Sequence, residues 1–171
     1  MAIVAAANDG GIALTRGATI LQLRVPDASG RHLEKEARAL IATSHVPVLV
    51  SSRVDVALAV GTIGVHLPEA DIPVAQARRL LGADRLLGRS VHSVAAAQTA
   101  AAEGADYVIF GPVYETASHP GQTPVGVEAL REVCAAVSIP VLAVGGIDGR
   151  RQPEIAAAGA AGYAGIGAFA R

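Results

Sequence analysis

The sequence predicts a compact parallel (β/α)8 barrel, and three features of the chain indicate this fold. Short apolar runs rich in Val, Ile and Leu recur eight times along the 171 residues. Alanine-rich segments with helical spacing separate most of these runs. Continuous apolar strands that alternate with amphipathic helices are typical of a parallel sheet covered by helices, and eight such units favour a closed barrel over an open sheet. A chain of this length is expected to bury one core, so residues 1–171 are predicted to form one domain.

The eight apolar runs give the predicted strands, and the alanine-rich segments between most of them give the predicted helices. The first connection, NDGGIALTRG, has room for only about two helical turns. No helix is expected after the eighth strand, so we expect a rearranged terminus or a second copy of the chain, most simply in a dimer, to cover that flank. Asp27 or Ser29 is a predicted cap of the second helix and Ser93 of the fifth. The predicted strands are AIVAA (2–6), TILQL (19–23), VPVLV (46–50), GVHL (64–67), RLLGR (85–89), DYVIF (106–110), PVLAV (140–144) and AGYAGIG (161–167).

Composition and charge exclude several classes of function. A net charge of −1 and 3% aromatic residues provide neither a basic surface nor stacking platforms for nucleic acid. No apolar run reaches the roughly 18 residues of a membrane-spanning helix. The single cysteine, Cys134, lies in a helical pattern and is expected to be a small core residue. The first residues lack the pattern of a signal peptide, so a cytoplasmic protein that binds a small molecule is expected.

Polar residues follow the predicted strands at the end where barrel enzymes build their sites. The carboxyl ends of the strands, with the loops after them, form the active site of this fold. This rule selects candidate substrate-binding residues on four of the eight strands and their loops. They are Gln22, Arg24, Ser52, Arg53, Arg89, Ser90, Glu115, Thr116 and Ser118.

Two glycine clusters predict a phosphate site. Gly145 and Gly146 follow the seventh strand, and Gly165, Ile166 and Gly167 end the eighth. Backbone N–H groups can approach a phosphate closely where no Cβ intervenes, and the loops after strands 7 and 8 commonly bind phosphate in this fold. The alternative is that the glycines only turn the chain.

Three histidines are candidate catalytic groups, because a neutral imidazole can both give and take a proton near pH 7. His92 has polar neighbours in the run GRSVHS, whereas His66 lies within an apolar strand, where a structural role is the alternative. His119 lies in the long loop after the sixth strand and is either an exposed loop residue or part of a lid.

Two arginines and one aspartate leave their roles open. Arg24 and Arg53 can each bind a carboxylate or a phosphate, or can instead form an ion pair across the rim with Asp55 or Asp71. Asp71 could help to hold Mg²⁺, but Ser51 and Ser52 stand nearby where further acids would be needed. No metal or other cofactor is therefore expected from the residues alone.

Several of these segments together resemble one known superfamily. They are QLR, SSRVDVALAVGTIGVHLPEADIPV, LLGRSVHS, GADYVIFGPVYETASHPG, GVEALREV, IPVLAVGGI and AGAAGYAGIGA. The chain resembles the thiamine phosphate synthase and thiazole tautomerase superfamily from about Ile20 onward, and the resemblance also implies a TIM barrel.

The synthase branch couples a pyrimidine diphosphate to a thiazole phosphate with Mg²⁺, and this chain departs from its motifs. The QLREK motif of that branch reads QLRVP here, so Pro26 replaces the diphosphate-binding lysine. Ser51 and Ser52 replace an Asn-Asp pair, the second of which contributes to the metal site. Asp71 matches the other metal aspartate. The resemblance therefore implies Mg²⁺ only if the chain is a synthase.

The tautomerase branch, which aromatises a thiazole carboxylate phosphate by proton transfer, is the function that the motifs favour at this stage. HLP, GRSVHS and VYET resemble this branch. Pro112 stands where a tautomerase can carry a histidine, so His92 would move the proton, with His66 or His119 assisting. The alternatives are a synthase that uses Arg24, Asp71 and Ser90, and a non-catalytic phosphate-ligand binder or regulator.

Overall fold

The computed structural model describes residues 1–118 and 121–170, and within them eight parallel strands form one sheet in chain order. Each predicted apolar run overlaps one of these strands, so the predicted fold class is confirmed. Most strands are shorter than their runs because the pairing ends where the chain turns into a loop, whereas β5 continues two residues beyond its run. They are β1 (Ala2–Val4), β2 (Leu21–Leu23), β3 (Val48–Ser51), β4 (Gly64–Leu67), β5 (Leu86–Val91), β6 (Tyr107–Phe110), β7 (Val141–Val144) and β8 (Gly162–Ala164).

The sheet closes into a barrel between its first and last strands. Ala2 and Gly165 form a parallel bridge. The Ile3 amide donates to the Gly165 carbonyl at 3.0 Å, and the Gly165 amide donates to the Met1 carbonyl at 3.2 Å. The barrel is therefore complete with strands drawn from residues 2–164.

Helices occupy all seven connections between the strands. As predicted, the first is short, with nine residues, and Ser29 and Ser93 cap the second and fifth helices by accepting from the amides of His32 and Ala96. The third helix was not predicted, because VDVALAV is almost uniformly apolar and lacks a helical period. The helices are α1 (Ala7–Thr15), α2 (Gly30–Thr43), α3 (Val54–Val60), α4 (Val74–Leu81), α5 (Val94–Ala102), α6 (Gly126–Ala136) and α7 (Gln152–Ala157).

The segment after β8 folds back onto the barrel. Residues 165–170 contain no helix. Phe169 is buried, stacks on the Tyr163 ring with centroids 5.5 Å apart, and packs in the same cluster as Leu21 and Leu23. Of the two covers expected for this flank, the structure contains the rearranged terminus, while the second copy remains a prediction.

Apolar side chains fill two distinct layers. Two clusters lie between the strands and the surrounding helices, and a smaller one, which includes Leu49, Tyr107 and Ile109, lies inside the barrel. Alternation along each strand turns every second side chain inward. Because several of these inward side chains are polar, the upper part of the barrel interior is a site rather than a core. Among the described residues, no helix has the length and apolar character needed to cross a lipid bilayer.

Candidate active site

A cavity of about 560 Å³ opens at the carboxyl ends of the strands. This volume lies in the usual range of roughly 300–1,000 Å³ for small-molecule sites. Residues from all eight strands or their loops line it, including both glycine clusters and the loop after β6. This cavity lies at the end of the barrel where the sequence predicts the site.

Gln22 and Ser51 form one side of the cavity floor. The Gln22 side chain is 3% exposed, and its Nε2 donates to Ser51 Oγ at 2.8 Å. The Oε1 atom of Gln22 is buried and accepts no hydrogen bond within the described part of the chain. Burying an unpaired polar atom costs free energy, and Gln22 belongs to the residues that line the cavity.

His66 lies deeper and is held at both ring nitrogens. Its Nε2 is 2.8 Å from Ser90 Oγ, and its Nδ1 is 3.2 Å from the Tyr107 hydroxyl. Complete burial, with a smaller contribution from the positive charge of Arg89, lowers the pKa of His66 to about 3. The ring is therefore neutral near pH 7 and both nitrogens are occupied, so this geometry favours a hydrogen-bonding role over the predicted proton transfer.

His92 lies at the mouth and is paired with a carboxylate. Its Nδ1 is 2.6 Å from Glu69 Oε2, and its backbone amide donates to Glu69 Oε1 at 3.3 Å. Both side chains are more than 40% exposed. Glu69 thus orients the imidazole and leaves Nε2 without a protein partner among the described residues, so His92 remains the candidate for proton transfer.

The structure places the three predicted arginines in different surroundings. Arg24 lines the cavity, and its guanidinium makes no hydrogen bond to residues 1–118 or 121–170. Arg53 instead forms a two-point ion pair with Asp55, at 2.8 and 2.5 Å, as the alternative prediction stated. Arg89 points out of the barrel and donates to the carbonyls of Glu69 and Ile72 at 2.6 and 2.9 Å. Arg24 is therefore the guanidinium available to an anion in the cavity, and the prediction that Arg53 and Arg89 bind substrate is not supported.

Both glycine clusters line the cavity with free backbone donors. In the described structure, no hydrogen bond uses the amides of Gly146, Ile166 or Gly167. Gly146 has φ +64, and a Cβ there would lie 2.3 Å from the Glu115 carbonyl oxygen. The loop after β7 therefore needs glycine to pack under the loop after β6, and phosphate binding by Gly145, Gly146, Gly165, Ile166 and Gly167 stays a prediction.

The loop after β6 forms the outer wall. Glu115, Thr116 and Ser118 line the cavity, as predicted. Tyr114 anchors this loop: its hydroxyl donates to Glu154 at 2.6 Å, and the Arg151 guanidinium lies 4.3 Å from its ring centroid. Arg151 also donates to the Gly146 carbonyl, which ties the wall to the predicted phosphate loop. His119 lies outside the described residues.

The predicted metal residues lie at the rim rather than in the cavity lining. Asp71 Oδ1 accepts from the Ile72 amide at 2.7 Å. Ser52 has φ +65, a left-handed conformation in which Asn, Asp and His are enriched among the non-glycine residues. Within the described ranges, no three His, Cys, Asp or Glu residues are grouped to hold a metal ion.

Sequence reasoning missed two contributors to the site. Tyr107 was treated as part of an apolar strand, although inward alternation with Ile109 could have revealed it. Glu69 is not among the residues selected from the sequence, because its pairing with His92 joins residues 23 positions apart.

A closed parallel barrel with polar side chains gathered in a cavity at the carboxyl ends of its strands defines the architecture of a TIM-barrel enzyme. The sequence profile described as "Thiamine monophosphate synthase" matches residues 7–169, and the chain belongs to that family.

Curated relatives are similar over most of the chain. The thiamine-phosphate synthase of Chloroflexus aurantiacus is 43% identical over 91% of this chain and 74% of its own length. The putative thiamine-phosphate synthase of Geobacter sulfurreducens is 45% identical over 92% of this chain and 76% of its own length. A solved thiamine phosphate pyrophosphorylase from Pyrococcus furiosus superposes with a TM-score of 0.86 at 32% identity, covering 96% of this chain and 84% of that one.

These relatives correct the predicted branch. The superfamily and the TIM barrel are confirmed, but the prediction of a thiazole tautomerase is wrong, because relatives at 40–45% identity are named thiamine-phosphate synthases. The motifs HLP and VYET misled the prediction, since loop residues vary among enzymes that share one scaffold.

Proposed function

We propose that the chain is a thiamine-phosphate synthase, a transferase that moves the pyrimidine group from its diphosphate to a thiazole phosphate and releases diphosphate. The observation that carries the proposal is the 43–45% identity, over nine-tenths of the chain, to relatives of that name. The enzyme must bind two phosphorylated ligands at once, and the cavity offers two separate groups of anion donors.

The first group of donors is the pair of glycine loops, to which we assign the thiazole phosphate. The amides of Gly146 and Gly167 are unpaired in the described chain, and unpaired N–H groups are suited to a phosphate. Arg24 and Ser90 form the second group, to which we assign the diphosphate. Arginine binds phosphoryl oxygens with two parallel N–H groups, which supports this assignment.

Mg²⁺ is implied by the family, and the residues fit it with one carboxylate instead of two. This ion is usually held by one or two carboxylates together with substrate phosphates. Asp71 supplies one carboxylate, and Ser52 stands at the position of the second. Asp71 would therefore hold the ion with the substrate diphosphate, where Mg²⁺ would offset negative charge on the leaving group.

His92 is our candidate for proton movement at the mouth. Glu69 fixes the orientation of its ring, and the free Nε2 lies on a residue that lines the cavity. Of the predicted histidines that the structure describes, it is the one whose second nitrogen is unoccupied.

Steady-state turnover of the purified protein tests the proposal. The two substrates are supplied with saturating Mg²⁺ and, in parallel, with a chelator, and product is quantified by chromatography. We expect Mg²⁺-dependent product, and a tenfold or greater loss for Arg24→Met. Absence of product from a folded protein that still binds both ligands would reject a synthase.

That negative result is the outcome expected of a non-catalytic phosphate-ligand binder, our second candidate. Pro26 and Ser52 favour it, because they replace the lysine and the aspartate that the synthase motifs carry. A binder would take up the thiazole phosphate with unchanged affinity in the His92→Ala variant.

A further inference from the structure

We propose that Tyr107, His66 and Ser90 form a one-way chain of hydrogen bonds, in which His66 is a positioning residue that directs the Ser90 hydroxyl proton into the cavity. There the Ser90 hydroxyl would donate a hydrogen bond to a phosphoryl oxygen of the bound ligand. The inference rests on the proposed function to the extent that the ligand is a phosphorylated substrate.

The Tyr107 hydroxyl determines the direction in which the hydrogen bonds run. Its side chain is 7% exposed, and His66 Nδ1, at 3.2 Å, is the one hydrogen-bond partner of its hydroxyl within the described residues. A buried O–H group that fails to donate costs free energy, so the hydroxyl donates to Nδ1. Burial also raises the pKa of Tyr107, which keeps this proton on the phenol. A ring nitrogen that accepts a hydrogen bond carries no proton itself, so Nδ1 is unprotonated.

The His66 ring in turn determines the direction of the hydrogen bond to Ser90. Because His66 is neutral near pH 7, its one ring proton lies on Nε2. Nε2 is 2.8 Å from Ser90 Oγ and donates to it. The Ser90 proton cannot return to a nitrogen that already carries one, and the described chain offers it no other acceptor. Since Ser90 lines the cavity, its proton faces the ligand, and an anionic oxygen is the strongest acceptor for it.

Gly88 makes the contact between the two rings possible. His66, Gly88 and Tyr107 are laterally paired on adjacent strands β4, β5 and β6. A Cβ at Gly88 would lie 2.4 Å from the Tyr107 hydroxyl and 2.6 Å from His66 Nδ1. The rings stack across this gap with centroids 5.6 Å apart. Glycine at position 88 therefore leaves the space in which Tyr107 and His66 form their hydrogen bond.

The tautomer of His66 is the first test, and it needs neither ligand nor turnover. Long-range ¹H–¹⁵N spectra of the folded protein with ¹⁵N-labelled histidine distinguish protonated from unprotonated ring nitrogens, and the His66→Gln variant assigns the signal. We expect protonated Nε2 and unprotonated Nδ1 between pH 6 and 8. A protonated Nδ1, or a charged ring, overturns the proposal.

Binding of inorganic diphosphate, measured by calorimetry, is the second test. Ser90→Ala is expected to weaken binding about tenfold, because a hydrogen bond to a charged group is lost. His66→Leu removes the donor to Ser90 and should weaken binding severalfold, whereas His66→Gln, whose amide can donate to Ser90, should restore most of the affinity. The double variant Ser90→Ala, His66→Leu should bind as Ser90→Ala does. Equal effects of Gln and Leu at position 66, or additive losses in the double variant, overturn the proposal.

The two proposals fail separately. The expected tautomer and diphosphate affinities without any product would reject the synthase and retain the positioning role of His66. Full synthase turnover with a protonated Nδ1 would support the synthase and reject the positioning role of His66. Tyr107→Phe gives a further check, because loss of the phenol proton should let both neutral tautomers appear in the spectra.

Discussion

Gln22 Nε2 donates to Ser51 Oγ at 2.8 Å, while the Oε1 atom of the same amide is buried and unpaired in the described chain. The amide is thus hydrogen-bonded at one end and unpaired at the other, on a residue that lines the cavity. Such an arrangement sacrifices stability for binding, since an unpaired buried acceptor costs about 1–3 kcal/mol.

Gln22→Met should therefore separate stability from binding. Methionine keeps the length of the side chain and removes both polar atoms, so we expect an unchanged or higher Tm together with an increase in KM of about tenfold. Thermal denaturation and steady-state kinetics measure the two effects. Ser51→Ala is the matched control, because it leaves Nε2 unpaired as well and should lower Tm. A lower Tm in Gln22→Met would contradict the interpretation of Oε1.

Gly146→Ala should damage the predicted phosphate site. The added Cβ would lie 2.3 Å from the Glu115 carbonyl oxygen at a residue with φ +64, so the two loops must move apart. We expect a loss of about 1–3 kcal/mol in the free energy of unfolding and at least tenfold weaker binding of the thiazole phosphate. Gly149→Ala, where nothing lies within 4 Å of the added atom, is the control and should be close to neutral. Equal effects of the two changes would count against the assignment.

Ser52→Asp should strengthen the metal dependence of the proposed reaction. The left-handed backbone at φ +65 is one that aspartate adopts readily, so a second carboxylate can be added without strain. The Mg²⁺ concentration that gives half-maximal turnover should fall severalfold in Ser52→Asp and rise in Asp71→Asn. Ser52→Asn, which has the same shape without the charge, is the control. An identical Mg²⁺ response in all four proteins would remove Asp71 from the metal site.

Buried His66 should make the protein less stable in acid. Its folded pKa, about 3, is below the unfolded value near 6.5, so below pH 6.5 the unfolded state binds a proton that the folded state does not. Stability from this residue is complete above pH 6.5 and falls by up to about 1.4 kcal/mol per pH unit between pH 6.5 and 3. His66→Gln should flatten this part of the curve in urea titrations. The Arg53–Asp55 pair, which lowers the pKa of Asp55, also loses stability in acid but over a lower pH range, and it is intact in both proteins. Superimposable curves would show that His66 is not buried as a neutral ring.

The particular residues that the sequence placed correctly are those whose positions depend on local periodicity. Strand alternation, together with the location of barrel active sites at the carboxyl ends of the strands, correctly predicted that Gln22, Ser90 and both glycine clusters line one cavity. The same reasoning placed Arg89 there too, but on β5 it follows Gly88, which faces inward, so it must face outward. Inward or outward orientation depends on the parity of each strand, and a run of apolar residues does not reveal that parity.

Hydrophobic periodicity and glycine placement, read along the chain, determined the barrel, its open mouth and the two glycine loops that line the cavity. Tertiary structure alone decided which polar groups are occupied: Arg53 is paired, Arg24 is available, His92 is oriented by Glu69, and His66 is neutral between Tyr107 and Ser90. The physical reason is that hydrogen bonding and desolvation depend on distances across adjacent strands. Residues 41 positions apart, such as His66 and Tyr107, acquire their chemistry only when the barrel closes around them.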